Sequence, residues 1–216
     1  MNRIMNLKRL SAIAFVAMMA MSINAQTSSK KTNATNLFNG KDFTGWKFCM
    51  SNNAVPENTW SIRDSLIHCM GRPNGYIRTE KTYSDFKVTV QWRFIKAGNT
   101  GVMVFMQEPD QVWPRCVECQ GMHDRQGDFW LWGGVGCAKP PVTQNNGIIT
   151  QEVSAEKPLG EWNTYQVICK GNTAEIVVNG KSMNKLTDLN VSSGFIGLQS
   201  EGAELEIKSV MVESLR

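Results

Sequence analysis

Short runs of alternating apolar and polar residues dominate this chain from about residue 60 onward, and they constrain its fold more than any other feature. Lys87–Phe94 and 203–212 both alternate with a period of two. Gly101–Met106 is almost continuously apolar, as expected of a strand that is buried on both faces. An alternating run ends at the turn dipeptide Asn179-Gly180, which indicates a hairpin. With no long helical stripe, these patterns predict an all-β sandwich or jelly roll of two antiparallel sheets.

The first 25 residues have the layout of a secretory signal peptide. A short basic region precedes an apolar stretch from Leu10 to Met21, and Ile23-Asn24-Ala25 is similar to an A-x-A cleavage site. The apolar stretch is shorter than the ~20 residues of a membrane span. We therefore expect a periplasmic protein without a membrane span, consisting of a signal peptide (1–25), a polar, disordered tether (26–35) and a single domain (36–216).

The formal net charge of +4 suggests a polyanionic partner only until its location is considered. Three of the 23 basic residues lie in the first 25 positions, which leaves 20 basic against 19 acidic residues. The basic character therefore belongs mainly to the leader. A near-neutral domain gives no reason to expect nucleic-acid binding.

The six cysteines are sparse and do not form the pattern of a disulfide framework. Cys116 and Cys119 have C-x-x-C spacing, but they lie in a predicted strand. Residues three apart in a strand face opposite sides of the sheet, so these thiols can neither pair nor chelate together. Buried free thiols are the better interpretation.

The longest irregular segment, Glu108 to Gln151, is rich in aromatic residues and is interrupted only by a strand around Val117. Trp113, Trp130 and Trp132 could lie against the apolar faces of sugar rings, while nearby polar groups take the hydroxyls. The alternative is that these tryptophans only pack the loop onto the sandwich. Long loops in compact domains are often functional, so we expect this one to cover a site.

Glu118 and Gln120 are two residues apart in the predicted strand, so they share one face of the sheet. Val117 and Cys119 would then face the core. A face that presents Glu and Gln together could bind a ligand, although ordinary solvent exposure predicts the same alternation.

His123 is followed by Asp124 and lies close to Glu118, so a cluster for acid–base chemistry or metal binding is conceivable here. A surface or hydrogen-bonded histidine is the alternative. The chain has no G-x-S-x-G elbow, P-loop or H-E-x-x-H motif. It also lacks the E-x-D-x-x-E strand of laminarinase-like glycosidases, because Glu118 is the one carboxylate in the corresponding stretch.

Several stretches, in order from Asn36 to the C-terminus, resemble the 3-keto-disaccharide hydrolase domain of exported bacterial proteins. They are Leu37–Trp46, Tyr76–Phe86, Gly98–Val102, Val112-Trp113-Pro114, Glu118-Cys119-Gln120, Gly127–Trp130, Gly160–Asn163 and Gly194–Gly202. The departures are small: Cys119 stands where an aliphatic residue is common, and Thr100 replaces a common Ser.

The resemblance implies a concanavalin-like jelly roll that acts on glycosides oxidised at C3. A C3 ketone acidifies the C2 proton, so a base can remove it and expel the C1 substituent, after which water adds. Such a site needs a base near C2 and stabilisation of the enolate oxygen, which a divalent ion could supply.

Carried over to this chain, the resemblance makes Glu118 and His123 the candidate catalytic residues, with His123 as a base or metal ligand. The candidate substrate contacts are Gln120, Arg78, Trp113, Trp130, Gln199 and Glu201. For Arg78, Gln199 and Glu201 a structural role at the same face is the alternative. The expected partner is a carbohydrate. The competing hypothesis is a carbohydrate-binding module without catalysis, because jelly rolls serve both purposes.

Overall fold

The computed structural model describes residues 34–216, in which two antiparallel β-sheets account for nearly all regular structure. The strands are β1 (Ala34–Asn36), β2 (Trp46–Met50), β3 (Trp60–Arg63), β4 (Leu66–Cys69), β5 (Gly75–Thr79), β6 (Phe86–Lys96), β7 (Gly101–Met106), β8 (Cys116–Gln120), β9 (Phe129–Trp132), β10 (Gly147–Ile148), β11 (Asn163–Lys170), β12 (Thr173–Val178), β13 (Lys181–Leu186), β14 (Phe195–Ser200) and β15 (Glu204–Ser214). Within this part of the chain the helical elements are two 3₁₀ turns, Ser51–Asn53 and Pro56–Asn58.

The two sheets pack face to face and confirm the all-β sandwich. One sheet has the order β13-β12-β11-β6-β15-β4-β3, with β1 added alongside β15. The other has the order β10-β9-β8-β7-β14-β5-β2. The core lies between them and includes Trp60, Trp92 and Tyr165, each almost fully buried. None of the helices among residues 34–216 is long and apolar enough to cross a bilayer.

The strands expected from the alternating pattern are present. β7 is buried along its whole length, as its continuous apolar run predicts. Asn179 and Gly180 connect β12 to β13 with φ angles of 48° and 85°. A two-residue turn with both φ angles positive matches the right-handed twist of a hairpin, which is why Asn-Gly forms it readily.

Two features differ from the sequence interpretation. β1 pairs with β15 through Thr35 and Val212, so Ala34 and Thr35 belong to the sheet, although we assigned them to the tether. The long loop contains β9 and β10 in addition to β8, because Phe129 and Leu131 alternate inward between Trp130 and Trp132. The signal-peptide prediction lies outside the described residues.

The period-two geometry of β8 holds as expected. Val117 and Cys119 contribute to the core, whereas Cys116 packs in a small apolar cluster on the opposite face with Tyr76 and Met103. All six cysteines are unpaired. Burial raises the pKa of the Cys116 and Cys119 thiols, so both are poor nucleophiles.

Candidate functional site

A groove of about 180 Å³ lies on the outer face of the seven-stranded sheet, the face turned away from the core. It brings together two carboxylates, three tryptophans and three amides. Its lining residues are Asn99, Trp113, Glu118, Gln120, Trp130, Trp132, Asn145 and Glu201. The volume is below the ~300 Å³ typical of the smallest drug-sized pockets, so it suits one small ring rather than an extended chain.

Strand register places these side chains next to one another. Glu118 on β8 lies between Trp130 on β9 and Met103 on β7, and Gln120 lies opposite Gly101. Gly101 leaves the groove open, because a Cβ there would lie 3.2 Å from Gln199 Oε1 and 3.5 Å from Glu118 Cγ. A glycine inside a strand often marks such a close approach.

Glu118 is the residue with the most unusual electrostatic environment. The Trp132 indole donates a hydrogen bond to Glu118 Oε2 at 2.6 Å, and no cation among residues 34–216 pairs with the carboxylate. Burial raises the pKa of Glu118 to about 7, and the neighbouring Glu201 carboxylate adds to this shift. The Trp132 hydrogen bond and the adjacent Gln199 amide oppose the shift only in part. A buried carboxyl with a pKa near neutrality suits proton transfer.

Glu201 is held at the rim by the segment before β7. Asn99 donates a hydrogen bond to Glu201 Oε2 at 2.5 Å, and the two residues form an isolated β-bridge. Burial raises the pKa of Glu201, against the opposing effects of Arg72 and Asn99.

The tryptophans form walls that support one another. Trp113 meets Trp132 edge to face, with ring centroids 6.3 Å apart. Trp130 lies over Gly147, where a Cβ would come within 2.9 Å of the ring. All three indoles keep part of their surface exposed, so they can pack the loop and also present a face to a ligand.

Several polar atoms at the groove lack a hydrogen-bond partner in the described part of the chain. They are the side-chain oxygens of Asn99 and Gln120, the Trp130 indole nitrogen, and both amide atoms of Gln199. Gln199 lies beside Glu118 without a hydrogen bond of normal geometry. Buried polar groups are almost always paired in native proteins, so these atoms point to a bound polar ligand or ordered water.

Arg78 does not line the groove. Its buried guanidinium forms a bidentate pair with Asp110, at 2.6 and 2.7 Å, and also contacts Glu108 and the Phe195 ring. Arg78 therefore anchors the segment that leads to Trp113. A structural role was one of the two alternatives expected for Arg78, the other being a contact with the substrate.

His123 also lies outside the lining of the groove. Its Nδ1 is 3.0 Å from Glu156 Oε1, and its ring packs on Phe94. Together with Asp124 and Glu156 it forms the one metal-compatible group of three His, Cys, Asp or Glu side chains among residues 34–216. His123 and Arg78 therefore lie outside the groove. The predicted site residues that the structure does bring together there are Glu118, Gln120, Trp113, Trp130 and Glu201, with Gln199 beside them.

Sequence reasoning gave no role to Asn99 or Asn145. It grouped Trp132 with Trp113 and Trp130 as a candidate sugar contact, and Trp132 does line the groove. Asn145 lies in a loop whose approach to the groove depends on the β9–β10 pairing. Nothing in the local sequence indicates that pairing.

Two larger cavities, of about 310 and 210 Å³, are both lined in part by Tyr83. Thr35 contributes to both. Neither cavity brings two carboxylates together, so the smaller groove around Glu118 is the better candidate for a catalytic site.

The fold is similar to those of several carbohydrate-related proteins. A candidate glycosyl hydrolase from Parabacteroides distasonis ATCC 8503 is 23% identical, with a TM-score of 0.63 over 85% of this chain and 94% of the other. The carbohydrate-binding module CBM66 from Bacillus subtilis is 14% identical, with a TM-score of 0.58 over 79% and 96%. The β-glucanase of Bacillus licheniformis is 12% identical, with a TM-score of 0.58 over 86% and 98%. These similarities confirm the concanavalin-like jelly roll.

No curated protein matches the chain in sequence. The model of the 3-keto-disaccharide hydrolase family, described as a 3-keto-alpha-glucoside-1,2-lyase-like domain, matches residues 33–213. This match confirms the resemblance seen in the sequence motifs. The chain therefore belongs to the 3-keto-alpha-glucoside-1,2-lyase-like domain family of carbohydrate-active proteins.

Proposed function

We propose that this protein is an exported, periplasmic enzyme that cleaves 3-keto-glycosides by removing the C2 proton and eliminating the C1 substituent. The observation that carries the proposal is the placement of Glu118. It is a buried carboxyl in an open groove, with its pKa raised to about 7, between tryptophan walls. Family membership supports the choice of a 3-keto-glycoside as substrate.

In the proposed reaction Glu118 takes the C2 proton, and the C–H electron pair forms an enolate with the C3 oxygen. Collapse of the enolate restores the C3 ketone, forms a C1–C2 double bond and breaks the C1–oxygen bond. The proton on Glu118 is then available to the departing oxygen. Water adds at C1 and a proton returns to C2, which completes a net hydrolysis.

The groove residues fit complementary roles. The unpartnered Gln199 amide nitrogen is a donor beside Glu118 and can stabilise charge on the C3 oxygen. The Trp113 and Trp130 rings can hold the apolar face of the sugar, and the unpartnered Gln120 side-chain oxygen can accept a hydrogen bond from a sugar hydroxyl. Glu201 raises the basicity of Glu118 through its charge.

We expect kcat/KM toward a 3-keto-glucoside to rise with pH through about 7 and then to level off. The base must be ionised to accept the C2 proton, and ionisation of Glu118 occurs above its pKa. In Glu201→Gln the inflection should move to lower pH, because the charge that raises the pKa of Glu118 is gone. The pH–rate profiles of both proteins test this, and a profile that falls through neutrality would contradict it.

The proposal as a whole is tested with a chromogenic 3-keto-glucoside and the matching unoxidised glucoside. Release of the leaving group from the first and not from the second is expected. Parallel assays with and without a chelator establish whether a divalent ion takes part. If the leaving group is released from neither substrate at any pH, the proposal that this protein is an enzyme is wrong.

A non-catalytic carbohydrate-binding module is the second candidate. The three tryptophans of the groove support it, since aromatic walls suffice for sugar binding without chemistry. The similarity to CBM66 supports it through the fold. Saturable binding of the 3-keto-glucoside in calorimetry, with the ligand recovered intact, would favour this function.

A further inference from the structure

Trp132 lies diagonally across from Glu118, because of the register between β8 and β9. Glu118 lies directly opposite Trp130, whereas Trp132 lies opposite Cys116, two residues away. Diagonal neighbours on adjacent strands are ~7–8 Å apart, which is within reach of an aromatic side chain. Trp132 donates to Glu118, whereas the Trp130 indole nitrogen has no hydrogen-bond partner among residues 34–216. The pairing of the two strands therefore selects Trp132 as the donor.

The Trp132 ring is held by its surroundings. Trp113 meets it edge to face, and it packs against the apolar cluster that contains Met103 and Cys116. The chain turns directly after it, at Gly133, which has a φ of 62° and lies so close to Arg115 that a Cβ would come within 2.6 Å of the Arg115 Cα. These contacts keep the indole N–H directed at the carboxylate.

The chemistry of the indole separates the two oxygens of Glu118. An indole has one N–H donor and no acceptor, so it donates to Oε2 whether the carboxyl is ionised or protonated. Oε1 has no hydrogen-bond donor of normal geometry among residues 34–216. A proton on Oε2 would weaken the bond from the indole, because a hydroxyl oxygen is a poorer acceptor than a carbonyl oxygen. Protonation of Oε1 keeps that bond intact.

The titratable groups around Glu118 leave Trp132 in this role. Burial and the Glu201 charge raise the pKa of Glu118, whereas the Trp132 hydrogen bond, followed by the Gln199 amide, lowers it. Arg72 acts on Glu201. The remaining neighbours are neutral, because burial raises the pKa of each; they are Cys116, Cys119 and Tyr165.

We propose that Trp132 is the positioning residue of Glu118: its indole holds Oε2 and leaves Oε1 as the oxygen that takes up the proton. The catalytic consequence rests on the proposed function, in which that proton comes from C2 of the sugar. A base held in one orientation reaches the transition state without first losing rotational freedom.

The first test needs no substrate. The chain has seven tryptophans, so a ¹H–¹⁵N correlation spectrum of the labelled protein contains one indole signal for each. The Trp132 signal is identified by its loss in Trp132→Phe or, if that variant does not fold, by its change of position in Glu118→Gln. We expect its proton shift to move downfield between pH 5 and pH 9 with a midpoint of about 7, because the ionised carboxylate is the stronger acceptor. In Glu118→Gln the signal should not titrate.

The second test is the pH–rate profile of Trp132→Phe. The substitution keeps an aromatic ring beside Trp113 but removes the N–H that stabilises the ionised form of Glu118. The inflection of kcat/KM should therefore move upward by about one pH unit, the opposite direction to that in Glu201→Gln. On the high-pH plateau kcat should fall by about 10–100-fold while KM changes by less than about threefold, because the base loses its orientation and the groove keeps its walls.

Trp130→Phe is the matched control, since it removes a neighbouring indole whose nitrogen has no partner among residues 34–216. Its inflection should stay at about pH 7. A Trp132 signal that does not titrate, or an inflection that Trp132→Phe leaves in place, would overturn the proposal. If the signal titrates as expected but no leaving group is released from a 3-keto-glucoside, the proposed function is wrong and the role of Trp132 in fixing Glu118 stands.

Discussion

Glu118→Gln should lower kcat/KM toward a 3-keto-glucoside by about 10²–10⁴-fold, the usual contribution of a positioned general base. The substitution keeps the shape of the side chain and an oxygen that can accept the 2.6 Å hydrogen bond from Trp132. It removes only the ability to take a proton. The rate of leaving-group release at pH 8 measures the effect.

Glu206→Gln is the matched control for this experiment. Glu206 is another largely buried carboxylate, but it lies on β15 of the opposite sheet and pairs with Arg93. Its substitution should leave kcat/KM unchanged. A folded Glu118→Gln protein with full activity would exclude Glu118 as the base.

Glu118→Gln should also change how the free energy of unfolding depends on pH. Glu118 is protonated in the folded state up to about pH 7, whereas an unfolded glutamate ionises near 4.5. Below pH 4.5 both states carry the proton, so the group has no net effect there. Between pH 4.5 and 7 only the unfolded state ionises, and the stability of the native protein falls relative to that at low pH.

Glu118→Gln lacks this loss, so it should be more stable than the unaltered protein above pH 7, by up to about 3 kcal/mol. At pH 4 the two proteins should unfold with similar free energies. Urea unfolding at pH 4 and pH 8 measures both differences. If the two proteins unfold with similar free energies at pH 4 but Glu118→Gln is the less stable of the two at pH 8, Glu118 is stabilised as a carboxylate, which contradicts this prediction.

Strand positions that depend on local alternation could be predicted from the sequence. β6 follows from the period of two, and β7 follows from its continuous apolar run. The β12–β13 hairpin follows from an alternating run that ends at Asn179-Gly180. The face shared by Glu118 and Gln120 follows from the same rule. β10, with two residues, has too little sequence to show a period, and its existence depends on pairing with β9.

Site residues were predictable where one strand carries them and unpredictable where the site depends on partners distant in sequence. Arg78 has the residue type of a substrate contact, but Asp110 and Glu108 on a following loop occupy its guanidinium. His123 lies close to Glu118 in sequence, yet the turn after β8 directs it to Glu156. No local pattern reveals either partner.

The fate of the C2 hydrogen tests the central claim most directly. A 3-keto-glucoside deuterated at C2 is incubated with the protein in ordinary water, and the label at C2 of the released sugar is measured against a sample without protein. Elimination through Glu118 requires that bond to break, so we predict that the label is lost to solvent in step with leaving-group release. Release of the leaving group with deuterium retained at C2 would mean direct displacement at C1 and would contradict the account.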